Sequence, residues 1–398
     1  MKIEVLFFLF GLIKSFTLNK INYKINTIIK MSDTNDVLFK FGSNPRLEAP
    51  NDAGELTWYP IGFPNEFKRS KPTPIIIRDI NYIVWKDRDK YYSLRDACSH
   101  QGASFYNGCI NKNTITCPYH GYTFNGDGEL TDIPKLQFID SEMHNIHSFK
   151  VVEKNGLVFM NTIPIKNNES ELLDLNKIWV EPEAFDTNQK PVYLTKNFEH
   201  NAKFVSVNSL DICHIGFVHT FGNNKNPNPI NTTKVFNVND SPFHYKIIYE
   251  YLAGPKSLVN KIYKYDKITV ENEYILPHTT VARVIFGNFS STIITQALPI
   301  SKFKTKLFVK AYRNYWYFDI NKTPLFLRPL NNLVNLFGDL LTENTMETTL
   351  SQDKAIVDYI DKIDYKTMHG KFSILYDMMS NHYKNKYKQF YENNKNSF

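Results

Sequence analysis

Two cysteines and two histidines in this 398-residue chain alternate in pairs: Cys98-Ser99-His100, then sixteen residues, then Cys117-Pro118-Tyr119-His120. Each pair offers one thiolate and one imidazole from a single short loop. That donor set suits a mixed-ligand [2Fe-2S] cluster, in which two sulfurs hold one iron and two ring nitrogens hold the other. Replacing two thiolates by neutral imidazoles makes the cluster less negative and raises its reduction potential, so it accepts electrons readily. Gly102, Pro118 and Gly121 suit tight loops that turn backbone N–H groups toward cluster sulfurs, and Tyr119 or Tyr122 could add a hydroxyl donor. Tetrahedral zinc also accepts two cysteines and two histidines, but zinc knuckles usually pair CxxC with HxxxH and do not alternate the two residue types. Cys109, between the loops, reads as an ordinary loop or core cysteine.

A second group lies further on, in Asn208-Ser209-Leu210-Asp211-Ile212-Cys213-His214-Ile215-Gly216-Phe217-Val218-His219. Two histidines and one distant carboxylate hold Fe(II) on one face and leave the opposite positions open for O2. On a regular α-helix, at about 100° per residue, His214 and His219 would diverge by about 140°. A shared metal therefore requires a π-like bulge or break, which the sequence places near Gly216.

At these residues the chain resembles a known family. CSH and CPYHGYTF, set among short strands, resemble Rieske proteins, and the NxxDxxHxxxxH segment at Asn208–His219 resembles Rieske non-heme iron oxygenases, including the pheophorbide/chlorophyllide and sterol-oxygenase branch. Respiratory Rieske proteins carry extra cysteines at the positions of Ala103 and Tyr119, and both are missing here. An asparagine-lysine element of the family matches Asn201-Ala202-Lys203, whereas Val207 stands where many relatives have glutamate. The resemblance implies Asp353, in the late acidic segment Leu350–Asp358, as the third iron ligand beside His214 and His219, with Asp358 and Asp361 as fallback choices. It also implies Asn208 and Asp211 as catalytic residues, Asp211 being the carboxylate that bridges a cluster histidine to an iron histidine across a homotrimer interface. Aromatic rings, chlorophyll-derived tetrapyrroles and sterols are the substrates it brings into view.

The elements that must position these residues follow from patterning. Pro74–Ile80, Asn81–Asp87 and Tyr91–Asp96 read as short strands separated by polar turns. Asn125-Gly126-Asp127-Gly128 marks a tight turn, and His147–Thr162 reads as a hairpin around Asn155-Gly156. A helical pattern around residues 200–220, strands between about 234 and 317, and helices from about 328 onward indicate an α+β second half with an antiparallel sheet. The expected fold class is therefore α+β: an all-β Rieske [2Fe-2S] domain over residues 56–163, then an α+β catalytic domain over 164–398, of helix-grip type by the resemblance. Pro324–Leu341 reads as an amphipathic helix, through which some relatives attach to membranes. The tail Ser380–Phe398 reads as a solvated helix with a frayed end.

Composition narrows the function classes. Hydrophobic residues make up 42% and charged residues 22% of the chain, an ordinary globular balance. The net charge of +7 comes from dispersed lysines without a dense block, which argues against nucleic-acid binding and leaves a surface that could meet an acidic electron donor. The four cysteines form no disulfide framework, which points to a reducing compartment and the cytoplasm. Residues 1–30 contain the apolar run Val5–Ile13 with five lysines and one glutamate; a targeting or membrane-associated segment and a dispensable extension both fit, and 31–55 reads as a linker. No dinucleotide fingerprint is present, so electrons must come from a separate NAD(P)H-dependent reductase or ferredoxin. The expected function is a terminal oxygenase with a [2Fe-2S] cluster and a mononuclear Fe(II), acting on a small organic substrate by hydroxylation, demethylation or desaturation. The alternative is a Rieske electron-transfer or scaffold protein without the mononuclear iron.

Overall fold

Short runs of β-branched and aromatic residues pair into three small antiparallel sheets in the N-terminal half, because none is long enough to build a wide sheet alone. A computed structural model describes residues 58–69, 71–134, 144–165, 175–360, 362 and 375–395, all within the unit Glu48–Phe398. The sequence expectations for residues 1–30 and 31–55 lie outside the described residues, as does Asp361.

Strands β1 (Trp58–Gly62), β2 (Thr73–Ile77), β3 (Ile80–Asp87) and β4 (Lys90–Arg95) are followed by the short β5 (Cys109–Asn111), β6 (Thr114–Thr116), β7 (Thr123–Asn125) and β8 (Leu130–Asp132), then by β9 (Phe149–Lys154) and β10 (Leu157–Pro164). They form sheets β1-β10-β9, β2-β3-β4 and β5-β6-β7-β8. The β2–β3 turn falls at Arg78-Asp79, with φ of 51° and 65°. Ile80 therefore belongs to β3 and not to the preceding strand, because a two-residue hairpin turn of this hand needs positive φ at both central positions. Asn155-Gly156 (φ 49° and 75°) turns β9 into β10 in the same way, as its sequence requires.

The second half is built on one antiparallel sheet of long strands. After β11 (Val192–Phe198) come helices α1 (Ala202–Leu210) and α2 (Ile215–Val218), strands β12 (Asn231–Thr232), β13 (Phe236–Asn237) and β14 (His244–Leu252), the turn helix α3 (Leu258–Lys261), and strands β15 (Lys267–Ile275), β16 (Thr279–Phe286), β17 (Phe289–Ser301) and β18 (Lys304–Arg313). The strand order is β11-β18-β17-β16-β15-β14-β12, with β13 on β14. Helices α4 (Arg328–Val357) and α5 (Met378–Lys395) complete it. Leu350 and Val357 of α4 share a core with Leu194, Phe198 and Val309 of the sheet.

Helix α5 corrects the reading of the tail as solvated. Met379 and Tyr383 are fully buried against Tyr249 and Tyr274, and the Tyr383 hydroxyl donates to Pro277 O at 2.6 Å. The lysine-rich composition concealed one apolar stripe, which is enough to dock a helix. At the start of α4, Leu330, Leu333 and Leu336 remain exposed.

The two halves share a core. Leu298 and Phe308 of the large sheet belong to the same buried cluster as Trp58, Ile75 and Met160. The buried Lys310 ammonium donates to Asn155 O at 2.6 Å and to Glu181 Oε1 at 3.0 Å, and so ties the β9–β10 turn to β18. A buried charge paired and hydrogen-bonded on both sides resists separation of the two halves, since parting them would strand it.

Candidate metal centres

The first site is built by two loops of matching geometry. The Cys98 N–H donates to Ala103 O at 2.9 Å and the Gly102 N–H to Cys98 O at 2.7 Å; in the second loop the Cys117 N–H donates to Tyr122 O at 2.8 Å and the Gly121 N–H to Cys117 O at 3.1 Å. Gly102 and Gly121 occupy the same place in each loop and have φ of 74° and 79°, a conformation that costs other residues strain. A Cβ on Gly121 would also come within 2.7 Å of Pro134 Cγ.

Both cysteines are buried and both histidines are exposed, with His100 Nδ1 and His120 Nδ1 3.0 Å apart. The thiols are close enough to interact: Cys98 pulls the Cys117 thiol down to about 6, while Cys117 pushes Cys98 up. Two sulfurs on the inside and two converging Nδ1 atoms on the outside form the donor arrangement of a half-imidazole [2Fe-2S] cluster. The tyrosines serve as ring partners: Tyr122 stacks on His100 at 4.8 Å between centroids, and Tyr119 lies 3.8 Å from the His120 ring. Cys109 is exposed on β5.

The second site depends on where the helix ends. Asn201 caps α1, its Oδ1 accepting from the Phe204 N–H at 2.8 Å, and the helix stops at Asp211, whose ψ of 122° is extended. The chain then turns through Cys213 and His214 into α2, and His219 leaves it in extended conformation. The break expected near Gly216 therefore lies at residues 211–214. Gly216 itself sits inside α2, where a Cβ would meet Pro227 Cβ at 2.7 Å, so this glycine serves close packing. Because His214 and His219 flank a four-residue helix, the 140° divergence of a continuous helix does not apply.

His214 Nε2 and His219 Nε2 are 3.2 Å apart, and Asp353 Oδ1 of α4 lies 3.3 and 3.4 Å from them. Among the described residues this is the one cluster of three or more His, Cys, Asp or Glu side chains with metal-ligand spacing, its ligand atoms all within 4.8 Å of one another. Asp353 Oδ1 is buried without a hydrogen-bond partner, an arrangement that costs free energy unless a cation is there to meet it. Burial opposes charge on His214, but Asp353 and Asp211 outweigh it and raise its pKa; burial lowers that of His219.

Each histidine is held through its other nitrogen. His214 Nδ1 lies 2.7 Å from Asp211 O, and His219 Nδ1 lies 3.2 Å from Gln352 Oε1. Both acceptors call for an Nδ1–H, which leaves each Nε2 lone pair for a metal. Gln352 escaped the sequence reading, because no local pattern tells that the residue before Asp353 will face a histidine 133 positions away. Replacing Gln352 by leucine is expected to lower iron affinity about 10–100-fold with the fold intact, measured as iron retained against a chelator.

The fallback Asp358 is otherwise engaged: it pairs with Lys354, and its Oδ1 accepts from the Glu199 N–H at 2.8 Å. The Asp211 carboxylate accepts from the Cys213 N–H at 2.8 Å, and it is the main-chain oxygen of Asp211 that meets His214. Asn208 lines the cavity that contains the triad. Burial pushes the Cys213 thiol up to about 11, which makes it a poor nucleophile. Among the remaining histidines, His244 pairs with Glu273 at 2.7 Å and His382 with Tyr274 at 2.7 Å. His278 is different. It is buried with neither ring nitrogen hydrogen-bonded, and burial lowers its pKa to about 3.

A cavity of about 580 Å3 opens beside the triad, with Thr280, Ala282 and Val284 of β16 on one wall and Leu341, Thr345 and Thr349 of α4 on the other. These are alternate positions of a strand facing i, i+4 positions of a helix, so both elements present one regular face to the space. Among the described residues no helix is long and apolar enough to cross a membrane.

Residues 57–149 match the Rieske [2Fe-2S] domain family. Chlorophyllide a oxygenase of Oryza sativa subsp. japonica is 25% identical over 166 residues, 41% of this chain and 28% of that protein. The terminal oxygenase component CarAa of carbazole 1,9a-dioxygenase from Sphingomonas is 31% identical over 107 residues, 26% of this chain and 28% of that protein. The matched stretches thus span under a third of each of these relatives. Solved structures match over a longer range. Dicamba monooxygenase bound to dicamba has a TM-score of 0.67 at 17% identity, covering 85% of this chain and 98% of that one. The QL mutant of Pseudomonas putida CBB5 NdmA with theobromine has a TM-score of 0.64 at 16% identity, covering 86% and 92%.

Proposed function

We propose that this chain, similar to Rieske non-heme iron oxygenases and carrying a Rieske [2Fe-2S] domain ahead of a catalytic domain of the same fold as dicamba monooxygenase, is the terminal component of an oxygenase that oxidises a small organic substrate. The observation that carries the reading is the convergence of His214 Nε2, His219 Nε2 and Asp353 Oδ1 at the side of a cavity of about 580 Å3. Two imidazoles and one carboxylate are the donor set of oxygen-activating non-heme iron.

Cys98, Cys117, His100 and His120 would hold the cluster, and His214, His219 and Asp353 the mononuclear iron. When bound, these groups supply single electrons and the activation of O2 for hydroxylation, demethylation or desaturation. The chain's own residues set the conditions. Asp211 O and Gln352 Oε1 hold the two imidazoles in one tautomer, so neither ring has to reorient on metal binding. The cavity walls of β16 and α4 hold the substrate beside the reacting position. The exposed His100–His120 edge is the side from which an external reductase or ferredoxin would deliver electrons. We assign to Asp211 the role of meeting that edge of a second copy within a homotrimer.

The test is the metal content of anaerobically purified protein together with its oxygen uptake in the presence of NAD(P)H, a generic reductase and a substrate panel. About three irons and two acid-labile sulfides per chain, with substrate-dependent uptake, are expected. About two irons and two sulfides without uptake would instead establish an electron-transfer protein.

A further inference from the structure

The cavity beside the triad is long. On α4 its lining runs from Asp353 back to Gly338, fifteen residues or about 22 Å of helix. On β16 it runs from Thr280 to Phe286, six residue steps or about 20 Å of strand. The two estimates agree, so the space is a channel between one helix and one sheet face, with the triad at one end.

The far end is marked by contacts with the start of α4. Arg313 donates to Asn335 O at 3.1 Å, and the Trp316 ring lies 5.7 Å from that of Phe337. Ser291 stands opposite Arg313 in the sheet register, and its Oγ lies 2.7 Å from the hydroxyl of the half-buried Tyr315. Both residues line the channel. Two hydroxyls bring two protons to this pair and spend one on each other, which leaves one O–H and its companion lone pairs for a third partner. Burial raises the Tyr315 pKa, so that hydroxyl stays protonated.

Between the two ends the lining is mostly aliphatic, aromatic or threonine, with Met346 and the amide of Asn344 on the α4 side. Among the described residues that line the channel, the only fully charged side chains are Asp353 in the triad and Lys256, which is exposed to solvent. A carboxylate or ammonium carried to the far end would lose its hydration, and the charge nearest that end, the Arg313 guanidinium, is already paired with Asp339 at 2.8 Å.

From these observations we propose that the channel takes an elongated, uncharged, mostly hydrocarbon molecule whose hydroxyl or carbonyl group docks on the Ser291–Tyr315 pair, presenting a carbon remote from that group to the triad. This deepens the oxygenase reading by naming the chemical class of its substrate, and it rests on that reading only for the carbon that is oxidised.

The test is binding of dodecan-1-ol, dodecanoate and dodecylammonium, each below its solubility or micelle limit, to the full-length protein with its metals, followed by titration calorimetry. The alcohol is expected to bind at least about tenfold more tightly than either ion. Tyr315→Phe and Ser291→Ala, which keep the packing of the wall, are each expected to weaken alcohol binding about 2–10-fold, as loss of a neutral hydrogen bond does. Equal or tighter binding of dodecanoate or dodecylammonium overturns the proposal, and so does alcohol binding that neither variant changes. Because the readout is binding, an alcohol that binds as expected without being oxidised upholds this inference while counting against the oxygenase reading.

Discussion

Replacing His214 by alanine is expected to remove about one iron per chain, leave acid-labile sulfide unchanged, and reduce substrate-dependent oxygen uptake by more than about a hundredfold. The loss should exceed the 10–100-fold that follows from disturbing a group that merely orients a ligand. His219 and Asp353 alone do not make a three-point site, and open iron sites depend on facial three-point attachment to keep the metal while leaving positions vacant. The variant should fold, since His214 belongs to the turn between α1 and α2 and its ring bonds locally to Asp211 O. Iron and sulfide analysis beside an oxygen electrode checks it. Unchanged uptake would remove the triad from the chemistry.

Exchanging Cys117 for serine should have an effect of similar size by a different route. The cluster's visible absorption and the spin-resonance signal of its reduced form should vanish, about two irons per chain should be lost, and reductase-driven uptake should fall to background. Serine keeps the size of the side chain but offers a poor ligand in place of a thiolate, and Cys117 is the thiol already drawn down to about 6. The cysteines also belong to the buried cluster with Phe105, Ile115 and Phe124, so loss of the metals leaves unfilled space in that core. Some loss of thermal stability should therefore accompany the spectral loss. The His214 variant should show neither change, and this contrast separates the two centres experimentally.

Much of this architecture was legible from local pattern. The cluster ligands lie within two loops, so spacing alone brings each thiolate to its imidazole, and the glycines at 102 and 121 stand where each loop needs positive φ. The strands of the first half and the onset of α4 at Arg328 follow from turn chemistry and periodicity, which act over a few residues. The same reasoning foresaw that His214 and His219 require a broken helix, yet it put the break at the nearby glycine. Asp211 ends the helix instead, where its carboxylate takes up the Cys213 N–H and its carbonyl oxygen takes the His214 ring.

By itself, then, the sequence determined the ligand types, the loop that supplies each cluster pair and the class of fold, because these depend on neighbours in the chain. Only the tertiary structure decided that Asp353 and not Asp358 faces the histidines, that Gln352 holds His219, and that α4 and β16 line one long cavity reaching from the triad to Ser291 and Tyr315. The reason is physical. Two aspartates five positions apart on an exposed-looking helix have nearly the same local preferences, and which of them meets a metal is set by how that helix packs on a distant sheet.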